Sequence, residues 1–156
     1  MTRDVKFREE AAALGYSFDG EIKIGGNYAP LVRDGNHVYV SGQIPRVEDS
    51  VVVTGRAGAE TSLSEARLGA KICAMRALAL LQRSLGTLDR VTAILRLTVY
   101  VQSTQTFTQQ SEVADSASEV FANVLGSAGV HSRTSVGVLQ LPKNATVEVD
   151  LIATVD

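Results

Sequence analysis

At 156 residues the chain has the length of one domain and enough volume to bury a core without covalent staples. Hydrophobic residues make up 45% and charged residues 21%, a globular balance that excludes a disordered polymer. With 15 Lys and Arg against 17 Asp and Glu the net charge is −2 and the isoelectric point is near 5.7, so nothing draws it broadly to nucleic acid or to an anionic membrane. One Cys and two His are too few for an internal disulfide or a His/Cys zinc site, and no metal is expected. The first 20 residues are charged and carry no apolar run, which predicts a protein without a signal peptide, located in the cytoplasm. No apolar stretch approaches the roughly 18 residues of a membrane span.

The segment from Arg3 to Leu14 reads as a short helix, with Phe7, Ala11 and Leu14 on one side and Gly15 as its stop. It is too short to form a core alone and is expected to pack on the main body. Leu31-Val32 and His37 to Ser41 flank the turn triplet Asp34-Gly35-Asn36, the pattern of a β-hairpin. Val51 to Val53 is a further short strand candidate. The clearest element follows. Ser62-Leu63-Ser64-Glu65 has the form of a capping box. Leu63, Ala66, Ala70, Cys73, Ala77, Leu80 and Leu81 then make an apolar face that ends at Gly86. A helix of that extent spans about 36 Å, enough to cross a four-stranded sheet.

Val91, Ala93, Leu95, Leu97, Val99 and Val101 alternate with Thr92, Ile94, Arg96, Thr98 and Tyr100, predicting a long strand with one wholly apolar face. A second long helix is expected over residues 109–125, with Val113, Ala117, Val120, Phe121 and Val124 inward. Two strands, 133–141 and 146–155, close the chain around Pro142-Lys143-Asn144. The order predicts an α+β sandwich with two helices on one face of an antiparallel or mixed sheet. The other face mixes Thr, Tyr, Arg, Glu and Asp with Ile and Val, which suggests cover by another subunit, a contact that closes into a ring when it runs head to tail. There is no P-loop, GxSxG, HExxH or CxxC motif.

One stretch is informative. His131 to Ala153, with Arg133 at the start of one strand and Glu148 fifteen positions on, resembles the C-terminal signature of the RidA (YjgF) family, also labelled endoribonuclease L-PSP. Gly26-Asn27-Tyr28 looks like that family's Gly-Pro-Tyr turn, and Val40-Ser41-Gly42-Gln43-Ile44-Pro45 is similar to its Ser-Gly-Gln-Ile-Pro strand end. The resemblance covers residues 26–155. The division expected is one RidA-like domain over 1–156, with a helical extension at 1–25 and the core at 26–155, a divergent subgroup. It implies a chorismate-mutase-like α+β fold, a homotrimer with clefts between subunits, and a cofactor-free imine/enamine deaminase. The reaction implied is hydrolysis of 2-aminoacrylate or related 2-imino acids to 2-keto acids and ammonia.

The residue types suit that chemistry. A planar guanidinium holds a carboxylate bidentately, so Arg133 is the expected clamp. A carboxylate orients or deprotonates the attacking water, so Glu148 is the expected acid/base, its structural alternative being simply to pair with Arg133. The family pattern adds Tyr28 as a wall of the cleft, Ser41 and Gly42 as its floor, and the Ser135 backbone as a polar contact. His131 stands where the family commonly has Pro, and Asp115 where it commonly has Asn; a second negative charge there would weaken anion binding. Neither His37 nor His131 has an evident partner in the sequence, and Cys73 reads as inert core. A second reading uses the same cleft without turnover, as a trimeric module for a small carboxylate or as a chaperone-like surface. Ribonuclease activity is disfavoured by the acidic isoelectric point, 5% aromatics and the lack of a basic stripe.

Overall fold

In a computed structural model of residues 1–156 the chain runs α1 (Arg3–Leu14), β1 (Leu31–Asp34), β2 (His37–Gln43), β3 (Arg46–Val47), β4 (Ser50–Val51), α2 (Leu63–Leu85), β5 (Val91–Gln102), α3 (Gln110–Leu125), β6 (Ser132–Val138) and β7 (Val147–Val155). The main sheet has the order β1-β2-β7-β5-β6, and β3-β4 form a separate two-stranded ribbon. Only the β5–β6 pair is parallel. The sheet is therefore mixed, as expected, with α2 and α3 on one face and α1 packed against those two helices.

Capping chemistry fixes the helix ends. Ser62 accepts from the Glu65 amide and the Glu65 side chain accepts from the Ser62 amide, the reciprocal box expected. Gly86 closes α2 in a left-handed conformation. The hairpin is also as expected, with Leu31 opposite Val40 and Asp34 opposite His37 across Gly35 at φ 59°. Phe7 of α1 is buried, and Ala11 and Leu14 pack on the same core.

Two expectations need correction. First, α2 does not have one buried face: every residue from Ile72 to Leu81 is buried, because the sheet lies beneath it and α3, α1 and the N-terminal loop lie around it. Second, the apolar alternation in β5 slips. Register shifts fall between Val91 and Ala93 and between Ile94 and Arg96, so Ile94 turns into the core and Leu95 is 40% exposed. Each bulge shifts the phase by one residue and the second undoes the first, so only the stretch around Ile94 and Leu95 departs from the alternation and Leu97, Val99 and Val101 are buried as expected. The last two strands, β6 and β7, are not neighbours across the Pro142-Lys143-Asn144 turn; β5 lies between them and pairs with both.

The core face of the sheet is read from register. Val38 and Val40 on β2, Val149, Leu151 and Ala153 on β7, and Leu97, Val99 and Val101 on β5 are all buried under the helices. The opposite face has no helix on it. Tyr39 and Val136 are 46% and 38% exposed there, beside the half-buried Tyr100, Asp150 and Ile152.

Candidate functional site

Tyr28, Gly42 and Glu148 line one cavity of 170 Å³. The loop before β1 supplies Tyr28, the irregular end of β2 supplies Gly42, and the second residue of β7 supplies Glu148. Pairing between β2 and β7 breaks between Val40 and Gln43, and this bulge lets the Gly42 backbone approach Glu148. A Cβ built on Gly42 would lie 2.0 Å from Glu148 Oε2, so glycine is required by close approach and not by a special φ. Ser41 stands beside the cavity and is tied inward: its hydroxyl donates to the Ala29 carbonyl at 2.7 Å and its amide to the Pro30 carbonyl at 2.9 Å. These bonds pin the Tyr28 loop to β2.

Glu148 is a half-buried carboxyl. Burial, with a smaller contribution from the Asp150 carboxylate, raises its pKa above the usual glutamate range. It has no ion-pair partner within 4.0 Å. Its structural alternative, pairing with Arg133 inside one chain, is therefore not what the fold provides.

Arg133 lies elsewhere. On β6 it pairs in register with Leu97, and Leu97 pairs with Leu151, so its side chain is on the helix side of the sheet. Glu148 pairs with Tyr100 between the buried Val147 and Val149, so it faces the other way. Two inter-strand spacings and three residues along the strand separate the two positions, about 14 Å of backbone, with side chains on opposite faces.

The Arg133 guanidinium reaches back to α3. Its Nη1 donates to Asp115 Oδ1 and to Ser118 Oγ, both at 2.9 Å. Its Nη2 donates to Ser111 Oγ at 2.9 Å. Asp115 thus faces Arg133, and its carboxylate occupies one donor of the guanidinium fork. Ser135 follows two residues on along β6, opposite Val99.

His131 has partners, contrary to expectation. Its Nδ1 is 2.6 Å from the Gly129 carbonyl and its Nε2 is 2.8 Å from Ser118 Oγ. A carbonyl only accepts, so the proton sits on Nδ1, and in the neutral ring Ser118 donates to Nε2. Arg133, Ser118, His131 and Gly129 form one directed hydrogen-bond chain. His37 is exposed. Cys73 is fully buried, and that burial raises its thiol pKa, consistent with inert core.

Sequence reasoning overlooked four cations on the Glu148 cavity: Lys23, Arg46, Arg76 and Lys143. Arg76 carried the strongest signal, a lone charge within the otherwise apolar run from Ile72 to Leu81. It is 3% exposed and donates to Gln43 Oε1 and to the carbonyls of Arg46 and Lys23 at 3.2, 2.8 and 2.6 Å.

Comparison with known proteins agrees with this architecture. Residues 9–155 match the family described as "YjgF/chorismate_mutase-like, putative endoribonuclease". The curated protein TCP17 of Trypanosoma cruzi is 41% identical over 127 residues, 81% of this chain and 79% of that protein. A crystal structure of a protein of unknown function from Agrobacterium tumefaciens is 34% identical, with a TM-score of 0.89 over 99% of this chain and 95% of the other. The crystal structure of RidA from an Antarctic Psychrobacter superposes with a TM-score of 0.57 over 85% of this chain and 92% of the other, at 24% identity, a likeness of fold. No helix is long and apolar enough to cross a membrane. With its fold, motif positions and matched length in agreement, the chain belongs to the RidA/YjgF family.

Proposed function

We propose that the protein is an imine/enamine deaminase that hydrolyses 2-aminoacrylate or related 2-imino acids at clefts between the subunits of a homotrimer. The observation that carries this reading is the unpaired, half-buried Glu148 carboxyl beside Tyr28 and over the Gly42 backbone. Arg133 sits on the edge strand β6, too far from Glu148 in one chain. A head-to-tail ring would bring the β6 edge of one copy against the Glu148 cavity of the next. The open sheet face, with Tyr39, Val136 and Ile152, supplies apolar area for that contact.

In this mechanism Arg133 holds the substrate carboxylate in its fork and fixes the C=N carbon near Glu148. Glu148 takes a proton from water as the water adds to that carbon. It returns that proton to nitrogen, which completes the carbinolamine; the same carboxyl then passes the hydroxyl proton to nitrogen as the C–N bond breaks and the C=O bond forms, and 2-keto acid and ammonia leave. No electrons change hands and no cofactor is needed. A Ser or Cys nucleophile is also unnecessary, because imines hydrolyse slowly unaided.

A second reading, a carboxylate-binding module without turnover, is favoured by one contact, the Arg133–Asp115 ion pair at 2.9 Å. The experiment generates 2-imino acids in situ with an amino-acid oxidase and traps the survivors with semicarbazide. The deaminase reading predicts less trapped imine with wild type than with Arg133→Ala. Equal trapping across small and large side chains would leave the binding module as the better account.

A further inference from the structure

The cavity that holds Glu148 is unbalanced in charge. Besides that one carboxylate it is lined by Lys23, Arg46, Arg76 and Lys143. Lys23 is neutralised by an ion pair with Asp49, and the other three have no carboxylate oxygen within 4.0 Å. The adjoining cavity of 280 Å³ shares Lys23, Arg46 and Arg76 but carries Glu21, Glu48 and Asp49 of its own. The surplus positive charge therefore belongs to the Glu148 side.

That surplus is held at a cost. Arg76 is nearly inaccessible, and burial lowers its pKa to about 10. Gln43 Oε1 and the Arg46 and Lys23 carbonyls satisfy its N–H groups in part, but neutral acceptors leave the net charge without a counter-ion. Lys143 reaches the rim from a left-handed backbone, with φ 58° for a residue that carries a Cβ, a further small strain. A buried guanidinium, an unpaired Arg46 and a strained Lys143 converging on one cavity describe a receptor for an anion.

The substrate carboxylate, on the reading above, is already assigned to Arg133 across the cleft. We infer that Arg46, Arg76 and Lys143 take a second negative group, so that the preferred substrates are 2-imino acids with a short anionic side chain. This inference rests on the deaminase reading for its chemistry, but the anion site itself does not. The cavity of 170 Å³ has room for a side chain of a few heavy atoms and excludes a long one. Arg46 and Lys143 make the outer contacts, and Arg76 supplies charge from beneath and anchors the loop carbonyls of Lys23 and Arg46.

Two measurements on the intact protein test this. In the first, imino acids generated from glutamate or aspartate are compared with those from alanine and norvaline in the semicarbazide assay. A charge-assisted contact predicts at least about a tenfold preference in kcat/KM for the acidic imino acids. That preference should collapse to about twofold in Arg46→Gln/Lys143→Gln. Those residues lie at the cavity rim, so the variant tests the site without removing the buried Arg76. In the second, calorimetric titration compares glutarate with pentanoate, which differ by one terminal carboxylate. Tighter binding of glutarate by wild type, lost in the double variant, is expected. If glutarate shows that preference but no imine is turned over, the deaminase reading fails and the anion site stands. If imines are hydrolysed without acidic preference and the two acids bind alike, the anion site is overturned and the deaminase reading stands.

Discussion

Gly42→Ala isolates the position of Glu148 from the stability of the fold. The new methyl would meet Glu148 Oε2 at 2.0 Å and Cδ at 2.9 Å. The obstructing atoms are the far end of a flexible side chain, so the carboxyl retreats and the backbone stays. Ordinary contact begins at 3.4 Å, so Oε2 moves by roughly 1.4 Å to relieve the overlap. An off-rotamer Glu148 costs about 1 kcal/mol, and replacing Gly by Ala in a strand returns about 0.5–1 kcal/mol. The melting temperature should therefore stay within about 4 °C of wild type. A displacement of that size at a reacting group lowers kcat about 100-fold. The assay is the semicarbazide trap, run beside a melt followed by circular dichroism. Wild-type activity, or a loss that tracks a large drop in stability, would refute the reasoning that Gly42 exists to admit the Glu148 carboxyl.

Further outcomes follow from the same geometry. Asp115→Asn keeps a hydrogen-bond acceptor for Arg133 but removes its competing negative charge, so KM for anionic imino acids should fall about threefold or more with kcat little changed; an increase in KM would show that Asp115 helps binding. Burial raises the Glu148 pKa in the folded chain, so the native state binds the proton more tightly than the unfolded one and this group's contribution to stability falls as pH rises through the folded value. Wild type should thus gain stability relative to Glu148→Gln as pH is lowered from neutrality toward the ordinary glutamate range, while the acid limb of kcat lies above that range; parallel stability–pH curves for the two proteins would contradict this. Phe121, fully buried on the inner face of α3, should cost about 3–5 kcal/mol when cut to Ala. Ser62→Ala, which opens the α2 capping box, should cost about 1 kcal/mol, both read from urea midpoints.

The legible part of this fold is the part written in local chemistry. Ser62, Glu65 and Gly86 announce both ends of α2, and Asp34-Gly35-Asn36 announces the β1–β2 turn. The slip at Ile94 and Leu95 was not legible, because either residue can occupy the core and only pairing with β7 decides which does. The insertion of β5 between β6 and β7 is likewise a tertiary choice that a short connecting turn does not reveal. At the site, the motif positions Tyr28, Gly42 and Glu148, far apart in sequence, line one cavity. They could not show that Arg133 leans on α3, because Asp115, Ser111 and Ser118 meet it only through packing. His131 illustrates the same limit, its partners Ser118 and Gly129 being set by the turn after α3. Arg76 was readable as a charge in an apolar helix, yet its meaning depends on Gln43 and on two loop carbonyls distant in sequence.

The most direct test of the central claim, that Arg133 of one copy works with Glu148 of the next, is subunit mixing. Arg133→Ala and Glu148→Gln are each expected to be inactive. Unfolded together in equal amounts and refolded, they should form mixed trimers in which about a quarter of the clefts combine an intact Arg133 with an intact Glu148. The account predicts recovery of about a quarter of wild-type imine hydrolysis. Mixed trimers confirmed by native mass spectrometry but still inactive, beside an active wild type treated the same way, would contradict it.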